Sequence, residues 1–166
     1  MAEVDAVGQL RSAFTYNAGL RFELVGKLTD EQLHALWPRP GLNTFAKQFL
    51  EIAAVEREFA NALDSGVLNF GAVPGVFEFP DRVSRQEISS ALVASDALLQ
   101  ERLGRAAPDL VVDWGGGIQT GLVGHLSNLI SHELFHHGQM LMAMYVLQCE
   151  IPEGWINSWS VPALEA

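Results

Sequence analysis

The segment from Ile118 to Gln148 constrains the fold of this chain most strongly. Its apolar residues lie around much of a helix instead of along one stripe: Leu122, Leu126, Leu129, Phe135, Met140, Met144 and Leu147. A helix that is apolar on several sides must be covered on several sides by other parts of the chain. We therefore expect this segment to form the central helix of a helical protein.

Three earlier segments also repeat apolar residues at three- and four-residue steps, which is the period of one helix face. They run from about Val4 to Leu28, from Asn43 or Thr44 to about Leu63, and from about Arg85 to Gly104. Ser84, with Glu87 three residues later, predicts a capping box at the start of the last segment. The stripe of the first segment consists of Val7, Leu10, Phe14, Ala18, Phe22 and Val25.

The stretches between these helices carry turn and cap signals. Thr29, with Gln32 three residues later, predicts a short capped helical turn. Residues 64–81 form a long connection with several glycines and prolines, and connections of this length are usually functional or packed over something. We expect residues 115–117, three consecutive glycines, to be a flexible hinge. The tail, residues 150–166, has no helical period and is expected to pack across the helices as an ordered cover.

These patterns predict an all-α fold, a four-helix bundle with a long connection between its second and third helices. No strand pattern and no internal repeat competes with the four helices. At 166 residues the chain is long enough for a full core and too short to suggest two domains, so we expect one domain over residues 1–166. Bundles of this kind build metal and cofactor sites from side chains on facing helices.

The charge of the chain excludes some partners. Its formal net charge is −10, and no run of lysine or arginine forms a basic patch, so we expect no binding to nucleic acid or to an anionic membrane. Cys149 is the only cysteine, which rules out an internal disulfide and agrees with a reducing compartment. The N-terminal residues are acidic where a signal peptide is basic, and no apolar run approaches about 18–20 residues. We expect a cytoplasmic protein.

Histidines in the central helix are the strongest functional signal. His132 and His136 are four residues apart, so their side chains lie roughly 5–6 Å apart and can bind one ion. His125 lies about 10 Å from His132 along the helix axis, which is too far to join them comfortably. His137 points away from the pair and is expected to be an exposed surface histidine. The alternative for the pair is a set of hydrogen-bonded core histidines or a surface pair.

A third ligand must come from another helix, and two glutamates on the second helix are candidates. Glu56 falls in the middle of the apolar stripe, whereas Glu51 lies near its edge beside Gln48 and Val55. Two histidines and a carboxylate suit zinc and also nickel, iron or manganese. Periodicity alone favours Glu56 as the residue that faces the centre of the bundle.

Two motifs in the chain resemble those of the DinB/YfiT-like superfamily of four-helix bundles. The stretch His132-Glu-Leu-Phe-His136-His137-Gly138-Gln139 is similar to its terminal-helix motif, in which two ligand histidines four apart precede Gly-Gln. The stretch from Asn43 to Glu56 is similar to the second-helix pattern, which normally contains a third ligand histidine. The resemblance extends from about Leu10 to Leu147, and the family includes metal-dependent thiol S-transferases and mycothiol-dependent maleylpyruvate isomerases.

The resemblance implies a metal site in which Glu51, His132 and His136 are the ligands, because Glu51 stands where the family has its second-helix histidine. Glu56 remains the second choice. Glu133 or Gln139 could hold a ligand histidine or the substrate in position by a hydrogen bond. For Glu133, however, we expect an ordinary exposed position on the helix surface.

The function that follows from the resemblance is that of a metal-dependent enzyme. It would hold a divalent ion, most simply zinc or nickel, with iron or manganese as options. It would act on a small-molecule substrate as a transferase that uses a low-molecular-weight thiol, or as a related hydrolase or isomerase. The alternative is a metal-free bundle that binds a small apolar ligand or a partner subunit. A homodimer is compatible with either.

Overall fold

The computed structural model describes residues 5–38, 43–70 and 77–162. Within these ranges the chain forms six helices and one small hairpin: α1 (Ala6–Lys27), α2 (Asp30–His34), α3 (Phe45–Ser65), α4 (Arg85–Leu103), β1 (Val111–Asp113), β2 (Gln119–Gly121), α5 (Leu122–Val146) and α6 (Glu153–Trp159). The long helices α1, α3, α4 and α5 pack as a bundle, in which α3 contacts α4 and α5, and α1 contacts the same two helices. The predicted all-α four-helix bundle is confirmed.

The helix starts follow from side-chain caps, as the sequence predicts. The capping box of Thr29 and Gln32 is present at the start of α2, and that of Ser84 and Glu87 at the start of α4. Thr44, one of two candidates, caps α3 by accepting a hydrogen bond from the backbone N–H of Lys47. Each cap supplies an acceptor for an N–H group that has no partner within the helix.

The apolar core consists of two clusters, one toward each end of the bundle. One cluster takes residues 45–53 of α3 and 140–144 of α5, together with the buried Trp155 of α6. The other takes residues 55–63 of α3 and 122–129 of α5, together with Val112 of the hairpin. Buried polar side chains lie between the two clusters along the same helices, among them Glu56, Glu133 and His136. The middle of the bundle is therefore a polar layer.

Three local features differ from what the sequence pattern indicates. The glycines at 115–117 do not form a hinge but the turn of the β1–β2 hairpin, where all three adopt positive φ angles of 79°, 59° and 81°. The tail, which shows no helical period in the sequence, contains a short helix, since residues 153–159 form α6. Phe135, counted among the covered residues of the central helix, is 64% exposed.

The tail packs on α1 as far as the structure describes it. Trp155 is fully buried, and its indole Nε1 donates a hydrogen bond of 2.8 Å to the carbonyl oxygen of Leu20. Residues 163–166 of the predicted cover, and 71–76 of the long connection, lie outside the described residues. In the part of the chain that is described, no helix combines the length and the hydropathy needed to cross a bilayer.

Candidate metal centre

Glu51, His132 and His136 meet where α3 packs against α5. One ligand atom from each residue lies within 4.8 Å of the other two. The Nε2 atoms of His132 and His136 are 3.0 Å apart, and Nε2 of His136 lies 3.9 Å from Oε1 of Glu51. Ligand atoms at 2.0–2.1 Å from a tetrahedral ion are separated by about 3.3 Å, so the observed distances fall on either side of that value. The three donors fit a divalent ion with only small side-chain adjustments.

The protonation states of the histidines suit metal binding. Burial lowers the pKa of His132. Burial, together with repulsion from His132, lowers the pKa of His136 to about 4. Both imidazoles are therefore neutral at pH 7, and a neutral imidazole is the form that binds a metal. Burial raises the pKa of Glu51, and a bound cation would act in the opposite direction by stabilising the carboxylate.

Gln48 fixes the orientation of His136. Its side-chain oxygen, Oε1, contacts Nδ1 of His136, and the amide is buried. Because an amide oxygen only accepts, Nδ1 carries the hydrogen and Nε2 presents its lone pair toward His132 and Glu51. This role of Gln48 does not follow from the sequence pattern, although Gln48 stands three residues before Glu51 on the same side of the helix.

Nδ1 of His132 is buried without a hydrogen-bond partner in the described part of the chain. With a metal on Nε2 the ring's hydrogen would reside on this Nδ1 atom. Without one, a hydrogen on Nε2 of His132 can bridge to Nε2 of His136. His132 thus carries its hydrogen on Nδ1 when a metal is bound and on Nε2 when none is bound. Both imidazoles are neutral in either case.

His125 has a structural role, in agreement with its exclusion as a ligand. The indole Nε1 of Trp114 donates to its Nδ1 at 3.2 Å, so its Nε2 carries the hydrogen and donates to the carbonyl oxygen of Phe59 at 3.0 Å. The ring also stacks on Phe59 at 4.5 Å between centroids. His125 therefore holds Phe59 and Trp114 in place.

His137 and Glu133 are not exposed, contrary to expectation. His137 is 1% exposed and packs against Trp155 of the tail. Burial, then the charge of Arg21, lowers the pKa of His137 to about 3. Glu133 is fully buried, and its two oxygens lie 2.9 Å from Arg21 and 3.0 Å from the side-chain amide of Asn17. These residues are covered by side chains of α1 and α6. Helical periodicity within α5 cannot show which other elements pack against it, so it did not predict their burial.

Glu56, the second choice for the third ligand, belongs to the same buried cluster instead of the metal site. Its Oε2 lies 2.5 Å from the hydroxyl of Ser95, and its Oε1 lies 3.9 Å from Arg21. The guanidinium of Arg21 also contacts Asp96 at 2.5 Å. Arg21 thus occupies the centre of an acidic cluster, and Glu56 is directed toward it.

A cavity of about 370 Å³ adjoins two of the three donor residues. Glu51 and His132 form part of its wall, and the aromatic side chains Phe59, Phe70, Phe77 and Trp114 form much of the rest. A larger apolar groove, of about 580 Å³, runs along the other side of α5 and includes Gln139 but none of the three donor residues. We take the smaller cavity as the approach to the centre, because it is the one that donor residues line.

Comparison with known proteins agrees with this architecture. No protein-family model and no curated protein matches the chain. Among solved structures, a DinB-like protein from Bacillus cereus ATCC 10987 is similar with a TM-score of 0.68 and 20% identity, over 86% of this chain and 93% of that one. The chain has a DinB-like fold. A second DinB-like protein, from Bacillus subtilis, is similar with a TM-score of 0.66 and 15% identity, over 89% and 96% of the two chains. Identities this low show the fold alone.

Proposed function

We propose that this protein is a divalent-metal-dependent enzyme whose ion is held by Glu51, His132 and His136. The observation that carries the proposal is the convergence of three ligand atoms from two helices within 4.8 Å, in the polar layer of the bundle that also contains the Arg21 cluster. Gln48 supports the set by holding one ligand histidine in the required tautomer.

The donor set indicates which ions fit and what they supply. Two imidazoles and one carboxylate suit zinc or nickel, with iron and manganese as further options. A divalent ion bound there would lower the pKa of a thiol or water ligand, so that a nucleophile is available near neutral pH. Glu51 keeps 32% of its side chain exposed, so a small molecule can reach this side of the site from solvent.

The reaction class we propose is transfer of a low-molecular-weight thiol to a small electrophilic substrate, with a related hydrolysis or isomerisation as the other options. Support comes from the motif resemblance around His132 and His136 and from the DinB-like fold. The negative net charge of the chain favours a small-molecule partner over nucleic acid, and the single cysteine agrees with a reducing, cytoplasmic setting for the proposed enzyme.

A metal-free bundle is the second candidate function. It is favoured by the carboxylate at position 51, where the family that the sequence motifs resemble has a histidine, and by the apolar groove on the outer side of α5. Leu134, Phe135 and Met142 are exposed along this groove, which can receive a small apolar ligand or a second subunit.

Thermal unfolding with and without metal separates the two candidates. Protein without an affinity tag should gain stability in excess zinc or nickel, because an ion that binds only the folded state stabilises it by about 2.7 kcal/mol at a hundred times its dissociation constant. The variants Glu51→Ala and His132→Ala should lose this gain. His34→Ala, which removes a histidine outside the donor set, should keep it and serves as the control. No gain in the wild type, or an equal gain in all variants, would contradict the proposal.

A further inference from the structure

The cavity beside the donors has an aromatic wall of unusual exposure. Phe70 is 49% exposed and Phe77 39% exposed, although apolar rings of this size are normally covered. Their centroids are 6.0 Å apart, and Phe70 lies 5.9 Å from the buried Phe59. Trp114 stands edge-on to Phe59 at 5.7 Å. The rings form one continuous aromatic surface that leads to Glu51 and His132.

Part of this surface is held rigid from behind. His125 bonds to Trp114 through one ring nitrogen and to the backbone of Phe59 through the other. These bonds set the positions of two aromatic walls before any ligand arrives, so little conformational freedom of Phe59 and Trp114 is lost on binding. A core packing role alone requires no exposed rings, and Phe70 and Phe77 extend the surface outward into solvent.

The charges of the wall restrict what can bind. Among the described residues that line the cavity, none is a lysine or an arginine, and the only ionisable groups are Glu51 and His132. With a divalent ion, the carboxylate of Glu51 leaves one net positive charge at the site. A bound molecule can therefore carry one anionic metal-binding group, whereas any further anionic group on it would find no cation along the wall.

We infer that this cavity binds an uncharged aromatic ring of the substrate, held against Phe70 and Phe77, with the metal-binding group of the same molecule facing Glu51 and His132. The position of this metal-binding group rests on the proposed metal function. The binding of the ring does not, because the aromatic surface is present without a metal. The substrate class is thus a small aromatic molecule with a single metal-binding group, and multiply anionic compounds are excluded.

Two hydroxamic acids with the same metal-binding group test the inference. Zinc-loaded protein is titrated with benzohydroxamic acid and with acetohydroxamic acid, and both affinities are measured by calorimetry. We expect the aromatic compound to bind roughly tenfold to a hundredfold more tightly, the gain typical of burying one phenyl ring. In the double variant Phe70→Ala/Phe77→Ala this preference should fall to about threefold or less, while zinc affinity stays unchanged. Tyr16→Ala removes an exposed ring that does not line the cavity and should leave the preference intact.

A metal-free arm separates failure of this inference from failure of the proposed function. Benzyl alcohol is added to metal-free protein, and the indole N–H resonance of Trp114, assigned with Trp114→Phe, is followed by NMR. A shift in the wild type that is lost in the double variant supports ring binding, even if the wild type binds no zinc. Equal affinity of the two hydroxamates in zinc-loaded protein overturns the inference, as does an unshifted Trp114 resonance in a protein that binds no zinc.

Discussion

Gln48 shows how a residue that is not itself a candidate ligand can determine the tautomer of a histidine that is one. Its amide oxygen keeps the hydrogen of His136 on Nδ1, and this hydrogen bond holds Nε2 in the form that binds a metal. Periodicity identifies such a residue only as a polar side chain on a buried face. Its function becomes visible once His136 of the facing helix is placed beside it.

Replacing Gln48 should weaken metal binding without abolishing it. We expect Gln48→Ala to lower zinc affinity about 10- to 100-fold, the usual effect of losing such a supporting hydrogen bond. Gln48→Glu should retain most of the affinity, because a carboxylate oxygen also accepts from Nδ1. Competition with a chelator of known affinity measures both values, and Gln9→Ala, at an exposed position on α1, is the control. Unchanged affinity in Gln48→Ala would show that His136 needs no such support.

Glu56 illustrates the limit of periodicity at a single residue. The apolar stripe correctly places Glu56 in the bundle interior, but burial does not distinguish a ligand from a member of an ionic cluster. The hydroxyl of Ser95 lies 2.5 Å from Glu56 and 3.1 Å from the carbonyl oxygen of Leu92. The hydroxyl donates to the carboxyl group of Glu56, whereas burial, which outweighs the opposing effects of Arg21 and this hydrogen bond, raises the pKa of Glu56 to about 9. Burial therefore favours a protonated carboxyl at neutral pH.

The pH dependence of stability should report this proton. The folded-state pKa of Glu56 lies above its usual value of 4.5, so the folded chain retains a proton that the unfolded chain releases. The contribution of Glu56 is fully present below about pH 4.5 and is lost as the pH rises toward about 9. We expect Glu56→Gln, which is neutral at every pH, to be at least about 1 kcal/mol more stable than the wild type at pH 8, because each pH unit above the unfolded pKa costs about 1.4 kcal/mol. Urea unfolding between pH 5 and pH 9 measures the difference, and a gap that does not grow with pH would contradict the assignment.

At the scale of the elements, α1 departs most from its predicted stripe. Val7, Leu10, Ala18 and Phe22 are only partly buried, whereas the buried face includes Asn17 and Arg21. A stripe counted from apolar residues alone cannot include polar side chains whose partners lie on other helices. Arg21 connects α1 to Asp96 of α4 and Glu133 of α5, and so determines which side of α1 faces inward.

Removing Arg21 should therefore destabilise the bundle strongly. Arg21→Met keeps much of the side-chain volume but leaves Glu133 and Asp96 without their cation, and breaking a buried pair in this way costs about 3–5 kcal/mol. Arg11→Met removes an arginine from an exposed position of the same helix and should change stability by less than about 0.5 kcal/mol. Both values come from urea denaturation at pH 7. A cost below about 1 kcal/mol for Arg21→Met would mean that the cluster does not hold α1 in place.

The ends of α5 and the two short elements show why boundaries are harder to predict than helices. The predicted helix from Ile118 is shortened at its start, because residues 119–121 pair with residues 111–113 as a hairpin. Strands of three residues carry too little pattern to be recognised, and the glycine turn between them reads equally well as a hinge. The seven residues of α6 are likewise fewer than periodicity needs, and Trp155 packs there through contacts with α1.

At the scale of the whole molecule, the bundle could be predicted because four long segments each carry a helical period and an apolar helix needs cover on several sides. The candidate centre was predictable in part. The two histidines follow from their spacing on one helix, whereas Glu51 was chosen over Glu56 through a family motif, since its contact with the histidines depends on how α3 packs against α5. Gln48, Arg21 and the aromatic cavity required the packed structure, because each depends on contacts between helices.

The central claim is that Glu51, His132 and His136 bind one divalent ion, and anomalous scattering tests it most directly. Crystals of untagged protein grown with zinc are measured on both sides of the zinc absorption edge. We predict a single strong anomalous peak between α3 and α5, about 2.0–2.2 Å from a carboxylate oxygen of Glu51 and from Nε2 of His132 and His136. No peak at this position in zinc-containing crystals, or a peak bound only by other residues, would contradict the claim.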